Sequence, residues 1–207
     1  MEENKKYLIA GLGNAEARYT GTRHNIGFEV VSRLGEILDV TFRSDRYAYM
    51  AKAKYKGRSL VLIMPTTYMN LSGKAIRYWM ETEKISAENI LVISDDIDLP
   101  PGTLRVKGKG GGGSHNGLNH IMETLGHQNF PRLRFGIGKN YAQGYQVDYV
   151  LGKFDSKEWK DDIQPGIEKA VKVILSFVTA GIQRTMEMCN TKEDEISGNK
   201  DHKPDSA

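Results

Sequence analysis

Short apolar runs alternate along this chain with segments whose apolar residues recur at helical spacing, and that alternation constrains the fold more than any other feature. Lys6 to Gly11 is a compact apolar run closed by the turn Gly11-Leu12-Gly13-Asn14. After Asn25 the residues Ile26, Val30, Leu34 and Ile37 recur at steps of four, four and three, with Val31 and Leu38 widening the stripe. One face of that helix should pack on a sheet. Residues Tyr47 to Tyr55 alternate in character, Lys56-Gly57-Arg58 turns the chain, and Leu60 to Met64 forms an apolar run stopped by Pro65. This spacing predicts a hairpin.

Farther along, Leu71, Ala75, Tyr78 and Trp79 mark a helix that Asn70 or Ser72 could cap, and Asn89 to Ser94 a buried strand. Leu104 to Val106 is the next strand, followed by a Gly-rich loop, a helix bearing Leu118, Ile121, Met122 and Leu125, and a strand from Leu133 to Ile137. The last helix starts near Ser156 with Asp155 and Glu158 placed as a capping box. It carries Trp159, Ile163, Ile167, Val171 and Ile174 and should end near Gly181. The pattern predicts an α/β chain, a single-domain sandwich with a twisted mixed β-sheet flanked by helices; the hairpin excludes an all-parallel sheet. At 207 residues one core can bury roughly 70% of the unfolded surface, so one domain over 1–190 with a polar, disordered tail over 191–207 is expected.

Hydrophobic residues are 39% and charged residues 27% of the chain. No apolar run approaches the roughly 18 residues of a membrane span, and no apolar stretch resembling a signal peptide follows Met1. A soluble, cytoplasmic protein with no membrane partner is expected. The one cysteine, Cys189, excludes a disulfide framework and argues against a Cys-ligated metal; it reads as a small, partly buried hydrophobe. Net charge is +3; the tail from Thr191 carries three Lys against five acidic residues, so residues 1–190 hold +5. That balance permits a nucleic-acid partner, and two basic clusters exist: Arg105, Lys107 and Lys109, and Arg132, Arg134 and Lys139.

Ligands in open α/β sheets sit at strand carboxyl ends, and Asn14, Asn70 and Asp95 each follow an apolar strand within a few residues. The third small residue of a dinucleotide fingerprint beginning at Gly11 would fall at Glu16, which repels a pyrophosphate. No Gly-Lys-Ser or Gly-Lys-Thr closes the Gly-rich loop, and neither G-x-S-x-G nor H-E-x-x-H occurs. What remains is His24, in the run Gly21-Thr22-Arg23-His24-Asn25 before the first helix: a helix-start surface residue, or a general base whose other ring N–H a carboxylate would orient. Asp95 is the candidate carboxylate, although Asp95, Asp96 and Asp98 together could instead hold Mg²⁺. Asn70 and Asn116 are helix caps or non-titrating amides able to hold a peptide or a developing oxyanion. Met69 is a pocket wall or a core gap-filler, and His115 a second base or a structural loop residue. His120 and His127 read as surface residues. Gly110 to Gly113 form a lid or allow close approach of a ligand.

Five motifs in order, Gly11-Leu12-Gly13-Asn14, Thr22-Arg23-His24-Asn25, Pro65 to Gly73, Asp95 to Gly102 and His115-Asn116-Gly117-Leu118, make residues 6 to 190 resemble bacterial peptidyl-tRNA hydrolases. The resemblance implies a monomeric enzyme without metal or cofactor that hydrolyses the ester joining a peptide to the terminal ribose of tRNA, recycling tRNA from aborted translation. It implies that His24 is the base, Asp95 its orienting carboxylate, and Asn14, Asn70 and Asn116 the amides around substrate and water. Tyr68, Met69, His115 and Tyr19 match substrate-binding positions, and Lys107 and Arg134 a basic pair for the tRNA 5′-phosphate. The chain departs from the family pattern at Ala15-Glu16, where Pro-Gly is common, and in the glycine loop. There Lys109 and Ser114 replace glycines and Gly112 stands where His is frequent. Two rival expectations are a non-catalytic RNA-binding protein on the same scaffold and a metal-dependent phosphoesterase using Asp95, Asp96 and Asp98.

Overall fold

A computed structural model describes residues 5–197, with side chains to Asn190. Seven strands form one sheet: β1 (Lys6–Gly11), β2 (Arg43–Asp45), β3 (Ala48–Tyr55), β4 (Arg58–Pro65), β5 (Ile90–Asp96), β6 (Leu104–Lys107) and β7 (Arg132–Gly136), in the order β2-β3-β4-β1-β5-β7-β6. The central strands β4, β1, β5 and β7 run parallel, while β2, β3 and β6 pair antiparallel at the two edges. The expected mixed sheet is present. The β3–β4 hairpin turns on Lys56 and Gly57, both at positive φ, as a two-residue turn matching the strand twist requires.

Side-chain alternation gives the sheet two apolar faces. Tyr7, Ile9, Leu91, Ile93, Leu133 and Phe135 meet α1 (Ile26–Ile37) and the long C-terminal helix on one side. Leu8, Ala10, Val61, Ile63 and Val92 meet α2 (Ser72–Glu83) and α3 (Asn116–Leu125) on the other. Between β7 and the end of the chain come α4 (Gln146–Val150), α5 (Ser156–Glu158), a π turn over Trp159–Ile163, and α6 (Gln164–Ser197). No described helix is long and apolar enough to cross a membrane.

Local expectations are corrected at the last helix, at the caps of α2 and α3 and at His120. The last helix does not stop at Gly181: the backbone breaks there (φ 83°, ψ 171°) and helix resumes to Ser197. The second half is held because Asn190 pairs its side-chain amide with the open edge of the sheet, accepting from Val106 N–H at 3.0 Å and donating to Val106 C=O at 2.9 Å. Edge-strand groups need such partners, and the packing of Cys189, Ile182 and Met186 against the core adds to the contact. The tail expected from residue 191 therefore begins within helical backbone; residues 198–207 lie outside those described.

Neither Asn70 nor Ser72 caps α2 through its side chain. Ser72 Oγ donates back to Met69 C=O at 2.7 Å, and the helix N–H of Gly73 is taken by His120 Nδ1 from α3 at 3.0 Å. His120 is thus half-buried between two helices rather than a surface residue. Asn116 does not cap α3 either, because His115 Nδ1 accepts from Leu118 N–H at 3.3 Å.

The glycines at the end of β1 explain how α1 is placed. A Cβ on Gly11 would lie 2.0 Å from the carbonyl oxygen of Gly27, and one on Gly27 would lie 2.5 Å from Leu12 N and O. The first turn of α1 thus rests directly on the end of β1, a contact no other residue pair allows. Gly11→Ala should destabilise the fold by about 3 kcal/mol, because the clash is with backbone and cannot relax through a rotamer. Urea denaturation measures this, and a loss below about 1 kcal/mol would mean that helix and strand separate easily.

Candidate functional site

The loops at the carboxyl ends of the parallel strands meet in a cleft of about 230 Å³. Its centre is Asp95 at the end of β5, with only 4% of its side chain exposed. His24 reaches it from the 3-10 turn Arg23–Asn25 preceding α1, and His115 from the residue preceding α3. Both imidazoles contact one carboxylate oxygen: His24 Nδ1 lies 2.8 Å and His115 Nε2 2.9 Å from Asp95 Oδ1. The ring centroids are 5.0 Å apart.

A carboxylate only accepts, so each ring nitrogen facing Asp95 carries a proton. In His115 the other nitrogen accepts the Leu118 N–H, which fixes the neutral tautomer and uses both nitrogens. In His24 the proton on Nδ1 leaves Nε2 with a lone pair, the form a general base needs. Burial pulls the His24 pKa down, but the charge of Asp95 and its hydrogen bond outweigh this, and the net shift is upward from 6.5. Asp95 moves the opposite way: burial pushes its pKa up, the two histidines overcome that, and its carboxyl is held well below the usual range. The aspartate is an anion throughout the working pH range.

His24 is clamped on both sides by neighbours whose importance was not evident from their positions in the chain. Buried Asn25 exchanges two hydrogen bonds with the backbone of Asn14, at 2.8 and 2.9 Å. The Arg23 guanidinium binds Lys153 C=O and Glu158 (2.6 Å) and lies over the rings of Tyr149 and Phe154. Sequence offers a signal only for Asn25, an amide beside the candidate base.

His24, Asp95 and His115 also form a cluster with the composition of a metal site. Its hydrogen bonds point otherwise. To bind a cation, His115 Nε2 would have to lose its proton, moving that proton to Nδ1 against the Leu118 N–H. Such a donor-to-donor contact is unfavourable, whereas metal-bound histidines normally donate their second N–H to an acceptor. The Asp95, Asp96 and Asp98 cation site is not formed: Asp96 pairs with Arg134 and accepts the Asp98 N–H, and Asp98 faces Lys139 at 3.5 Å. Strand alternation turns Asp95 and Asp96 to opposite faces.

The family model for peptidyl-tRNA hydrolases matches residues 8–197. The chain belongs to the peptidyl-tRNA hydrolase family. A peptidyl-tRNA hydrolase of Cytophaga hutchinsonii is 53% identical, covering 91% of this chain and 100% of that one. One of Phocaeicola vulgatus is 50% identical over 90% and 100%. The crystal structure of the Acinetobacter baumannii peptidyl-tRNA hydrolase superposes with a TM-score of 0.84 at 33% identity, covering 92% of this chain and 97% of that one.

In this member of the peptidyl-tRNA hydrolase family, His24, Asp95, His115, Asn116, Lys107 and Arg134 all line the cleft. Asn14 adjoins it: its side-chain oxygen accepts the Met69 N–H at 3.2 Å, joining the loop after β1 to the segment Tyr68-Met69-Asn70. Met69 is buried in the core behind His115, where a Cβ on Gly117 would meet its sulfur at 2.6 Å. Tyr68 is 67% exposed and Asn70 is exposed, while Tyr19 packs beneath Arg18 outside the cleft lining. Of the two basic clusters, Arg105 is bound to Asn190 C=O, Lys139 to Asp98 and Arg134 to Asp96.

The balance of forces on His24 predicts a titration. An NMR pH titration of its ring protons should give a midpoint above 6.5. In Asp95→Asn burial acts unopposed and the midpoint should fall below 6.5. A midpoint that does not move would show that Asp95 does not set the basicity of His24.

Proposed function

We propose that this protein hydrolyses the ester between a peptide and the 3′-terminal ribose of tRNA, with His24 as general base. The observation that carries the reading is the 2.8 Å contact between His24 Nδ1 and Asp95, which leaves Nε2 to take a proton from water. The water oxygen attacks the ester carbonyl carbon, and its proton passes to Nε2. Asp95 stabilises the imidazolium that forms. The side-chain amides of Asn14 and Asn116 can donate to the oxyanion or hold the water. When the carbon–ribose oxygen bond breaks, the alkoxide takes the proton from His24, releasing a peptide carboxylic acid and a tRNA with a free hydroxyl. An ester has a better leaving group than an amide, so one base and one or two donors suffice, each contributing on the order of a hundredfold.

His115, with both ring nitrogens engaged, acts as a spacer that keeps Asp95 oriented. Tyr68, Met69 and Asn70 belong to the peptide and 3′-end side of the site, and Lys107 and Arg134 to the tRNA phosphate; Tyr19, matched to a substrate-binding position by resemblance, packs beneath Arg18 outside the cleft lining and is left out of this assignment. The protein acts as a cytoplasmic monomer without a metal ion or cofactor. A non-catalytic RNA-binding role is disfavoured by the oriented His24–Asp95 pair, which RNA binding alone would not need.

Release of free tRNA from an N-acyl-aminoacyl-tRNA is the direct assay. His24→Ala should lower turnover by roughly 10²–10⁴-fold with little change in tRNA affinity; near-normal turnover would remove His24 from the role of base. Turnover of the wild-type protein should be unchanged after exhaustive EDTA treatment, and activity that disappears with chelation and returns with added metal would replace this mechanism with a metal-assisted one.

A further inference from the structure

Arg132 heads the fully buried side chains by volume, with 1% of its surface exposed. Its guanidinium lies 4.2 Å over the ring of Phe130, with Nη1 donating to Gly111 C=O at 3.2 Å and Nη2 to Gln128 C=O at 3.0 Å. Nε is buried without a hydrogen-bond partner. No carboxylate pairs with this cation among the described residues. Burial, and secondarily the charge of Arg134, push its pKa down to about 10, so it remains a cation at neutral pH while bearing the cost of desolvation.

An uncompensated buried charge is an expensive way to hold two carbonyls. Its surroundings indicate what offsets the cost. The β6–β7 register sets Arg132 directly opposite Lys107, and cross-strand neighbours have Cβ atoms about 5 Å apart. Arg134, next on the same face, is already neutralised by Asp96. The carbonyl of Gln128 that binds Arg132 also accepts the N–H of Gly110 at 3.3 Å, so the guanidinium ties down the first two residues of the glycine loop that roofs the basic end of the cleft.

We propose that Arg132 is a third cation of the phosphate-binding end of the cleft, a buried positioning residue whose counter-ion is an RNA phosphate held at Lys107 beneath the Gly110–Gly113 loop. This rests on the reading of the protein as a peptidyl-tRNA hydrolase and extends it. The free protein carries the charge unneutralised, and bound RNA relieves it. Stability and affinity should therefore move in opposite directions when the charge is removed.

The test compares wild type with Arg132→Met and Arg132→Lys, using a tRNA acceptor-stem hairpin as ligand and N-acyl-aminoacyl-tRNA as substrate. Arg132→Met should bind the hairpin roughly tenfold more weakly, with the log–log salt dependence shallower by about one unit. Its Tm should be equal to or above that of wild type. Arg132→Lys should keep the wild-type salt slope. Arg132→Met binding with wild-type affinity and slope, whatever its Tm, would overturn the proposal. Should that variant not fold, the ¹⁵N–Hε resonance of Arg132 in the wild-type protein decides: it should shift on saturation with the hairpin, and an unmoved resonance refutes the role. Absence of hydrolysis by the wild type would defeat the functional reading itself, an outcome separate from any property of Arg132.

Discussion

Two imidazoles from opposite sides of a sheet converge on one carboxylate oxygen, and most of the molecule's organisation serves to keep them there. His24 precedes α1, which packs on one face; His115 precedes α3, which packs on the other. Asp95 stands between them at the end of β5. A carboxylate this buried is tolerable because two N–H donors satisfy it. The same donors define the chemistry: one histidine is locked by a helix N–H on its far side, and the other is left with a free lone pair.

The fold delivers that convergence through close backbone packing. Gly11 and Gly27 let the start of α1 rest on the end of β1, which brings Asn25 against the backbone of Asn14 and carries His24 to the cleft. Gly117 lets α3 approach the Met69 sulfur on the other side. The Gly11-x-Gly13 pattern that invites a dinucleotide reading therefore has a packing explanation at its first glycine. Along the sheet the cleft divides electrostatically, with His24 and its carboxylate partner at the centre and the basic strands β6 and β7 at one edge. The cations there are not equivalent. Arg134 is paired, Lys107 is exposed and Arg132 is buried, so a count of positive residues says little about which charges a phosphate would meet.

The strands and helices were legible because each has a clear apolar period and turn chemistry at its ends: β1 and the β3–β4 hairpin lie where alternation and Lys56-Gly57 put them. The final helix departs from its local signal at Gly181, where a glycine that usually ends a helix breaks it without ending it, because Asn190 gains backbone partners on the open edge of β6 farther along. His24 and Asp95 were legible as a pair from loop position and residue type. The roles of His115, His120, Asn25 and Arg23 were not, because each depends on a partner between 11 and 135 residues away.

Local periodicity and five ordered motifs were enough by themselves to determine the α/β architecture and the family, since hydrophobic spacing and turn residues act over a few positions. Only the tertiary structure decided which aspartate meets the histidines, which ring nitrogen of His24 stays free, and which arginine is buried beside the cleft. Those outcomes depend on strand register and on which side of the sheet a residue faces. A shift of one position reverses them, and no short stretch of sequence encodes where the opposing strand will lie.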